Sequence, residues 1–206
     1  MPRDYVYAVV YNGDAKDAHR YVLVGTKFAK GYFFGNSQTH QGEVYPNGVD
    51  LNGASRNCLP GGGLSNPESV IQGAFREFRE ETGYSVDGET VRQTRTWFDS
   101  TLGSNYSASY IETSLENMYV LANNASYISL DQAAGAALEI RYGQIRQYIQ
   151  IHAPWNYPNA PGDNELSRIE IWDVWDQNTW AAYIQPWQGN AALGWYYDIL
   201  EHLRNL

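Results

Sequence analysis

The chain has 206 residues, of which 43% are hydrophobic and 18% are charged, and this composition excludes a wholly disordered protein. The length allows a full hydrophobic core, so we expect residues 1–206 to form a single domain. The formal net charge of −9 argues against a general nucleic-acid-binding protein, which needs lysine and arginine to replace the counterions of the phosphates.

The chain contains a single cysteine, Cys58, which excludes an intrachain disulfide. We expect Cys58 to be a small buried hydrophobic residue rather than a nucleophile. The N-terminus has no basic segment followed by an apolar run, and no stretch approaches the ~18 apolar residues of a membrane-spanning helix. We therefore expect a cytoplasmic protein without membrane contact.

The first third of the chain contains strand-like runs. Residues 5–11 (YVYAVVY) and 21–24 (YVLV) are β-branched and aromatic, which predicts two strands. Residues 27–46 mix glycine, asparagine and aromatic residues without a clear period. A further strand, interrupted by an Asn-Gly turn, is predicted within 44–58, and it leads into a glycine-rich loop at 59–63.

A helix is predicted after this loop. Asn66 is a good N-cap, Pro67 is favoured at the first helical position, and Glu68 places a carboxylate in the first turn, where the helix dipole stabilises it. Gly83 supplies a stop signal. Four apolar residues recur at the spacing of one buried helical stripe, namely Ile71, Ala74, Phe75 and Phe78.

Three glutamates of this helix share a second face. Glu77, Glu80 and Glu81 are related by three and four positions, so their carboxylates crowd together and repel each other. A hard divalent cation neutralises such a group, because Mg²⁺ prefers carboxylate oxygens and also binds substrate phosphates. The alternative is an ordinary solvated acidic face.

Nine residues between positions 62 and 84 fall in the register Gx5Ex7REUxEExGU, in which U is a bulky apolar residue. They are Gly62, Glu68, Arg76, Glu77, Phe78, Glu80, Glu81, Gly83 and Tyr84. This register resembles the Nudix box, the signature of the Nudix hydrolases. The loop before it is not a Walker loop, because no lysine followed by serine or threonine comes after it.

The resemblance implies a fold and an activity. The fold would be α/β, a Nudix-like α/β/α sandwich with a mixed sheet, to which this chain adds a helical insertion and a C-terminal helix. The activity would be metal-dependent hydrolysis of the pyrophosphate bond in a nucleoside diphosphate linked to another group, X. The alternative is a catalytically silent Nudix domain that binds a nucleotide or regulates a partner.

The resemblance also implies site residues and a cofactor. The cofactor would be Mg²⁺ or Mn²⁺. Arg76 and Glu68 would orient the metal-binding carboxylates, and the base is left open between Glu77, Glu81 and a residue outside the box. The implied metal ligands are Glu77, Glu80, Glu81 and the carbonyl of Gly61.

The ligand would be a small nucleotide derivative. Subgroups of the family that act on ADP-ribose, diadenosine polyphosphates, NADH or coenzyme A carry further signatures outside the box, and these are absent here. The sequence therefore leaves the group X undetermined. It also leaves open whether the protein is a homodimer.

Further elements are predicted beyond the box. Residues 90–98, 106–111 and 118–121 are rich in strand formers, which predicts three strands. Residues 130–151 have apolar residues near helical spacing behind a Ser-Leu-Asp cap region, which predicts a helix. This helix has no counterpart in a minimal Nudix domain, so we interpret 130–164 as an insertion.

The C-terminal part is predicted to contain a strand at 165–175 and helices at 179–184 and 191–206. We predict that Glu165 adds a further carboxylate to the site, in preference to Glu170. Glu165 follows a loop rich in Pro, Asn and Gly, from which a side chain can turn toward a pyrophosphate. Glu170 lies within the strand and is better placed for a structural pairing.

Overall fold

The computed structural model describes residues 4–13, 18–36, 41–100, 103–142 and 157–206. The strands are β1 (Tyr5–Asn12), β2 (Tyr21–Lys27), β3 (Lys30–Asn36), β4 (Gln41–Asp50), β5 (Asn57–Cys58), β6 (Gly61–Gly63), β7 (Thr90–Asp99), β8 (Ser104–Glu112) and β9 (Leu166–Asp173). The α-helices are α1 (Val70–Thr82), α2 (Leu115–Asn124), α3 (Leu130–Tyr142), α4 (Gln177–Thr179) and α5 (Gly194–Arg204). A π-helical turn, Ala125–Ser129, joins α2 to α3.

Seven of these strands form one mixed sheet. Its order is β5-β2-β1-β8-β7, with β9 also pairing with β2 and β6 with β1. Strands β1 and β8 run parallel, from Tyr5 opposite Tyr106 to Tyr11 opposite Glu112. The other pairs of this sheet run antiparallel. The predicted mixed sheet is confirmed.

Strand β1 shows what covers the two faces of the sheet, because successive side chains of a strand point to opposite faces. A Cβ atom at Gly73 of α1 would lie 3.0 Å from Val6 Cγ2, so Val6 faces α1. The next residue, Tyr7, meets Tyr196 of α5 edge to face, with 5.3 Å between ring centroids. The two helices therefore cover opposite faces, and the predicted α/β/α sandwich is confirmed.

The remaining two strands form a separate hairpin. Strands β3 and β4 pair with each other, and Phe33 of β3 packs with α3 in a second, smaller core. The buried partners of Phe33 on α3 are Ala133, Ala136 and Ile140. Asn164, which precedes β9, donates its N–H to the Phe33 carbonyl and accepts from the Tyr32 N–H. The hairpin is thus attached to the loop that leads into β9.

Several predicted elements are confirmed, with ends that differ by a few residues. Strands are found at 5–11, 21–24, 90–98 and 106–111, as predicted, and the strand predicted at 165–175 is β9. The helix predicted at 191–206 is α5, and residues 177–187 form one helical segment that begins with α4. The glycine loop differs, because Gly61–Gly63 pairs with β1 as a short strand.

The strand predicted at 118–121 is wrong, because these residues belong to α2. Ser114 caps this helix by accepting a hydrogen bond from the Asn117 N–H at 3.1 Å. Met118 is buried whereas Tyr119 and Val120 are exposed, a pattern that suits a helix packed on one side. The capped helix therefore overrides the strand propensity of the sequence MYVL.

The helix predicted at 130–151 is confirmed over Leu130–Tyr142 as α3, but its Ser-Leu-Asp segment is not a cap, since α2 continues through the π-helical turn into α3. Residues 143–151 of that prediction lie outside the described residues. The same holds for part of the proposed insertion at 130–164, which stays a prediction.

In the part of the chain that the structure describes, no helix is long and apolar enough to cross a membrane.

Replacing Ser114 by alanine tests the assignment of α2. The Ser114 hydroxyl accepts from a helix N–H, so we expect Ser114→Ala to lower the free energy of unfolding by about 1 kcal/mol in urea denaturation. The exposed Ser100, in the turn after β7, provides the control Ser100→Ala. Equal, small effects of both substitutions would contradict the cap.

Candidate functional site

Helix α1 carries the box, and it begins later than predicted. Its N-cap is Ser69, whose hydroxyl accepts from the Gln72 N–H, while the Gln72 side chain accepts from the Ser69 N–H. The predicted start at Pro67 is therefore wrong, because this reciprocal capping box satisfies two N–H groups at once. Glu68 lies in the turn before the helix, where it accepts from the Ser65 N–H, and not in the first helical turn.

The three box glutamates are buried. Glu77 is 7% exposed, Glu80 is 8% exposed and Glu81 is 1% exposed, so they do not form a solvated acidic face. Burial raises the pKa of the Glu77 carboxyl to about 7, although the nearby Arg76 guanidinium acts to lower it. Burial also raises the pKa of Glu81 well above its ordinary value. The metal-free site therefore holds carboxylates that are costly to ionise.

Arg76 joins these carboxylates to the loop before the helix. Its Nη1 atom donates to Glu77 Oε1 at 2.8 Å and to Glu80 Oε2 at 2.7 Å. Its Nε atom donates to Glu68 Oε1 at 2.7 Å, and its Nη2 atom donates to the Gly63 carbonyl at 2.9 Å. One guanidinium thus fixes two box glutamates, the residue before the helix and strand β6.

Two glycines of β6 allow the backbone to approach the glutamates. A Cβ atom at Gly62 would lie 2.5 Å from Glu77 Oε2, and one at Gly61 would collide with the Val6 carbonyl. The Gly61 N–H also donates to Glu81 Oε2 at 3.3 Å. Side chains at these two positions would displace either the carboxylate or strand β1.

A second cation, Lys27, forms an ion pair with Glu165 and interacts electrostatically with Glu81. Lys27 ends strand β2 and is largely buried, and its Nζ atom lies 2.5 Å from Glu165 Oε2. Burial acts to lower the pKa of the Lys27 ammonium, but the Glu81 and Glu165 carboxylates outweigh this effect and raise it. Lys27 is therefore charged, and it compensates two carboxylates that are far apart in sequence.

Asp163 adds another acidic group beside the box. Its N–H donates to the Glu80 carbonyl at 2.8 Å, and its Oδ1 atom accepts from the Gly35 N–H at 2.8 Å. Burial raises the pKa of the Asp163 carboxyl, and the charges of Glu165, Glu80 and Glu77 raise it further. Asp163 thus links the C-terminal half of α1 to the β3–β4 hairpin.

These groups open onto a cavity of about 420 Å³. One part of its lining is charged and includes Lys27, Arg76, Glu77, Glu80, Asp163 and Glu165. Another part is aromatic and includes Tyr5, Tyr7, Tyr106, Trp195 and Tyr196. A cavity of this size, lined by both charged groups and aromatic rings, suits a small organic ligand.

The predicted site residues occupy different positions around this cavity. Glu81 is not among the residues that line it and lies behind them, whereas Glu68 reaches the site through Arg76. Glu170 is also absent from the lining, and its Oε2 atom lies 3.4 Å from Arg168 Nη2. The predicted residues that line the cavity are Gly61, Arg76, Glu77, Glu80 and Glu165.

Lys27 and Asp163 are site residues that the sequence analysis missed. Lys27 lies 138 positions from Glu165, and only the pairing of β2 with β9 brings the two residues together. Asp163 stands two residues before Glu165, so the acidic spacing in the sequence Gly-Asp-Asn-Glu was a usable signal.

The donor set fits a hard divalent cation, because it consists of carboxylate oxygens beside a glycine backbone that leaves room for Glu77. In the arrangement described, however, these carboxylates contact Arg76 and Lys27. Within the described ranges, no three His, Cys, Asp or Glu side chains converge as a metal site. The protein's own cations, Arg76 and Lys27, thus offset only part of the charge of the acidic cluster.

The raised pKa of Glu77 predicts how stability depends on pH. A carboxyl whose pKa is higher in the folded state stabilises the fold at low pH, and this contribution is lost as the pH rises through about 7. Between pH 5 and pH 8, this group alone should lower the free energy of unfolding by up to about 3 kcal/mol without metal. Glu77→Gln removes the titration, so we expect a correspondingly smaller loss.

Urea denaturation in the presence of a chelator at both pH values measures this difference. Glu170→Gln is the matched control, because Glu170 lies on β9 away from the cavity lining. The same pH dependence in wild type and Glu77→Gln would show that Glu77 titrates normally.

No family model and no curated protein matches this chain, whereas solved structures do. The protein DR0079 from Deinococcus radiodurans aligns over 98% of this chain and 82% of its own length, with 13% sequence identity and a TM-score of 0.50. A mutT/nudix family protein from Listeria innocua aligns over 99% and 91%, with 13% identity and a TM-score of 0.44.

A MutT/nudix family protein from Enterococcus faecalis aligns over 54% of this chain, with 16% identity and a TM-score of 0.34. The match spans only 37% of that protein's length. At these identities the likeness concerns the fold alone. The chain shares its overall fold with DR0079, and it combines a mixed sheet between helices with the box residues on α1.

Proposed function

We propose that this protein is a metal-dependent hydrolase that cleaves the pyrophosphate bond of a nucleoside diphosphate linked to another group. The observation that carries the proposal is the burial of three box glutamates at a cavity of about 420 Å³: Glu77 and Glu80 line it and bind Arg76, and Glu81 is buried behind them. Buried like charges destabilise a fold, so their presence favours a functional role over a structural one.

In this proposal Mg²⁺ or Mn²⁺ is held by carboxylate oxygens of Glu77, Glu80 and Glu81, with the Gly61 carbonyl as a further ligand. Such a cation would stabilise negative charge on the pyrophosphate oxygens and would lower the pKa of a water molecule. Arg76 positions Glu77 and Glu80 through its Nη1 atom, and Glu68 holds the guanidinium in place.

The reaction itself needs few protein groups. The water oxygen forms a bond to phosphorus, the bridging P–O bond breaks, and a carboxylate takes the proton of the water. Glu77 and Glu165 line the cavity and remain candidates for that base, as does Glu81 behind them. Lys27 positions Glu165 and contributes positive charge beside the pyrophosphate.

The aromatic part of the cavity supports a nucleotide as ligand. Tyr5 and Trp195 line it, and a base can stack on aromatic rings of this kind, whereas Tyr106 already stacks on Trp97. Turnover of a panel of nucleoside diphosphate derivatives with Mg²⁺ and Mn²⁺, followed by phosphorus NMR, tests the function. Hydrolysis of at least one compound supports it, whereas binding without turnover across the panel would favour the catalytically silent alternative.

Neutralising the box glutamates should abolish most activity. We expect Glu80→Gln and Glu81→Gln to lower kcat by orders of magnitude. Without metal, Glu81→Gln should also stabilise the fold slightly, because it removes a buried like charge that Arg76 does not bind. The comparison is made on the substrate found in the panel, at saturating metal. Near-normal turnover in both variants would contradict the catalytic assignment.

The two candidate carboxylates of the C-terminal region can be compared directly. Glu165 lines the cavity and Glu170 does not, so we expect Glu165→Gln to lower kcat strongly and Glu170→Gln to leave it nearly unchanged. Asp163→Asn, measured at the same fixed Mg²⁺ concentration, shows whether the second acidic residue of this loop shares the role. A large loss confined to Glu170→Gln would reverse the assignment.

A further inference from the structure

The two cationic side chains that line the cavity within the described ranges, Arg76 and Lys27, differ in the hydrogen-bond donors that they have left for a ligand. The acceptors of the five N–H groups of Arg76 are Gly63, Glu68, Glu77 and Glu80. The Lys27 ammonium has three N–H groups, and the described residues supply one acceptor for them, Glu165 Oε2. Lys27 is therefore the cation of the lining that can still donate to a ligand.

The main chain holds Lys27 and Glu165 side by side. The Lys27 N–H donates to the Arg56 carbonyl at 3.0 Å, and the Phe28 N–H donates to the Glu165 carbonyl at 2.8 Å. The pairing of β2 with β9 shifts its register between Thr26 and Lys27, and such irregularities redirect side chains next to binding sites. Because both backbones are anchored, a rotation of side chains alone can separate the two charged groups.

The ion pair between Lys27 and Glu165 is shielded from water. The Lys27 side chain is 12% exposed, the Glu165 side chain is 21% exposed, and Nζ lies 2.5 Å from Oε2. Both residues line the cavity. Charges interact more strongly in such surroundings than at the open surface. In the empty protein, the ammonium that could bind an anion is thus occupied by an anion of the protein itself.

A phosphate group that reaches Lys27 competes with Glu165. A phosphate oxygen that accepts from Nζ lies close to the Glu165 carboxylate as well, and the two anions repel each other. Lysine binds phosphate as a point charge with freely rotating donors, so it can exchange one anion for another without a fixed geometry. Once it is displaced, the Glu165 carboxylate still faces the cavity.

We propose that the Lys27–Glu165 ion pair is a latch that the substrate opens: a phosphate group of the ligand takes over the Lys27 ammonium, and the released Glu165 carboxylate becomes free to accept the proton of the attacking water. The inference takes its ligand class, a diphosphate, from the proposed function. Without ligand, Lys27 holds Glu165 and keeps it from acting as a base. The latch therefore couples the release of this carboxylate to occupation of the cavity.

The lysine content of the chain makes the latch directly observable, because there are only three lysines, at positions 16, 27 and 30. We would follow the side-chain resonances of isotope-labelled lysine by NMR while adding methylenediphosphonate, whose P–C–P bridge the proposed reaction cannot cleave. We expect the Lys27 resonance to shift, in a series with Mg²⁺ and in one without. Lys30 is the internal control, because it is exposed on β3, 3.8 Å from Asp50, and does not line the cavity.

Lys27→Arg identifies the Lys27 resonance by its loss while it keeps the charge beside Glu165. Glu165→Gln then tests whether the carboxylate leaves the ammonium. Without Mg²⁺, we expect this substitution to lower the Kd for methylenediphosphonate about tenfold, because it removes the competing anion. Glu170→Gln is the matched control and should leave this Kd unchanged, since Glu170 does not line the cavity.

The ligand-bound state distinguishes displacement from simple addition of a ligand. If phosphate displaces Glu165, the Lys27 resonances of wild type and Glu165→Gln differ without ligand and coincide with it. Bound-state resonances that still differ, an unchanged Kd in Glu165→Gln, or a Lys27 resonance that moves in neither series would each overturn the proposal. These readouts do not depend on turnover, so the latch can stand where no compound of the panel is hydrolysed and can fail where one is.

Discussion

The site depends on the hydrogen bonds of Arg76. Burying carboxylates without compensation costs several kcal/mol each, and a single guanidinium here serves Glu68, Glu77 and Glu80 while also binding the Gly63 carbonyl. Arginine suits this position because its planar fork donates in several fixed directions at once. These hydrogen bonds fix the position of α1 relative to β6, and the glycines of β6 let its backbone lie close to the Glu77 carboxylate.

Lys27, at the end of strand β2, also offsets part of the negative charge of the buried carboxylates. The ammonium pairs with Glu165 at 2.5 Å and acts on the buried Glu81, which Arg76 does not bind. Because β2 lies between β1 and β9 in the sheet, the pairing of strands brings this cation to the site. Two cations thus offset only part of the charge of these carboxyls, several of which keep raised pKa values, and a divalent cation would relieve that cost.

The sequence allowed most of the sandwich to be predicted, since β1 is a run of β-branched and aromatic residues, α1 has a clear helical period, and α1 ends at Gly83 as expected, with φ 79°. It failed where local signals competed. Ser69 and Gln72 form a reciprocal cap that a single residue such as Asn66 does not match, and strand formers at 118–121 lie in a helix that is capped by Ser114. Strand β3 escaped prediction because only its packing on α3 buries Phe33, whereas β4 overlaps the strand predicted within 44–58 and continues through its Asn-Gly pair.

For the site, the sequence predicted those residues that lie close together on one helix. The spacing of Glu77, Glu80 and Glu81 on one helix could be read directly, whereas Lys27 and Asp163 depend on strand pairing and loop contacts across the chain. Their positions follow from tertiary structure, which no period in the sequence encodes.

The most direct test of the central claim is an electron paramagnetic resonance titration with Mn²⁺, which measures metal binding independently of turnover. The account predicts saturable binding to the wild-type protein, competition by Mg²⁺, and much weaker binding to Glu81→Gln, because Glu81 is the most deeply buried carboxylate of the box. Absence of saturable binding in the wild type, or equal affinity in the variant, would contradict a metal site at these glutamates.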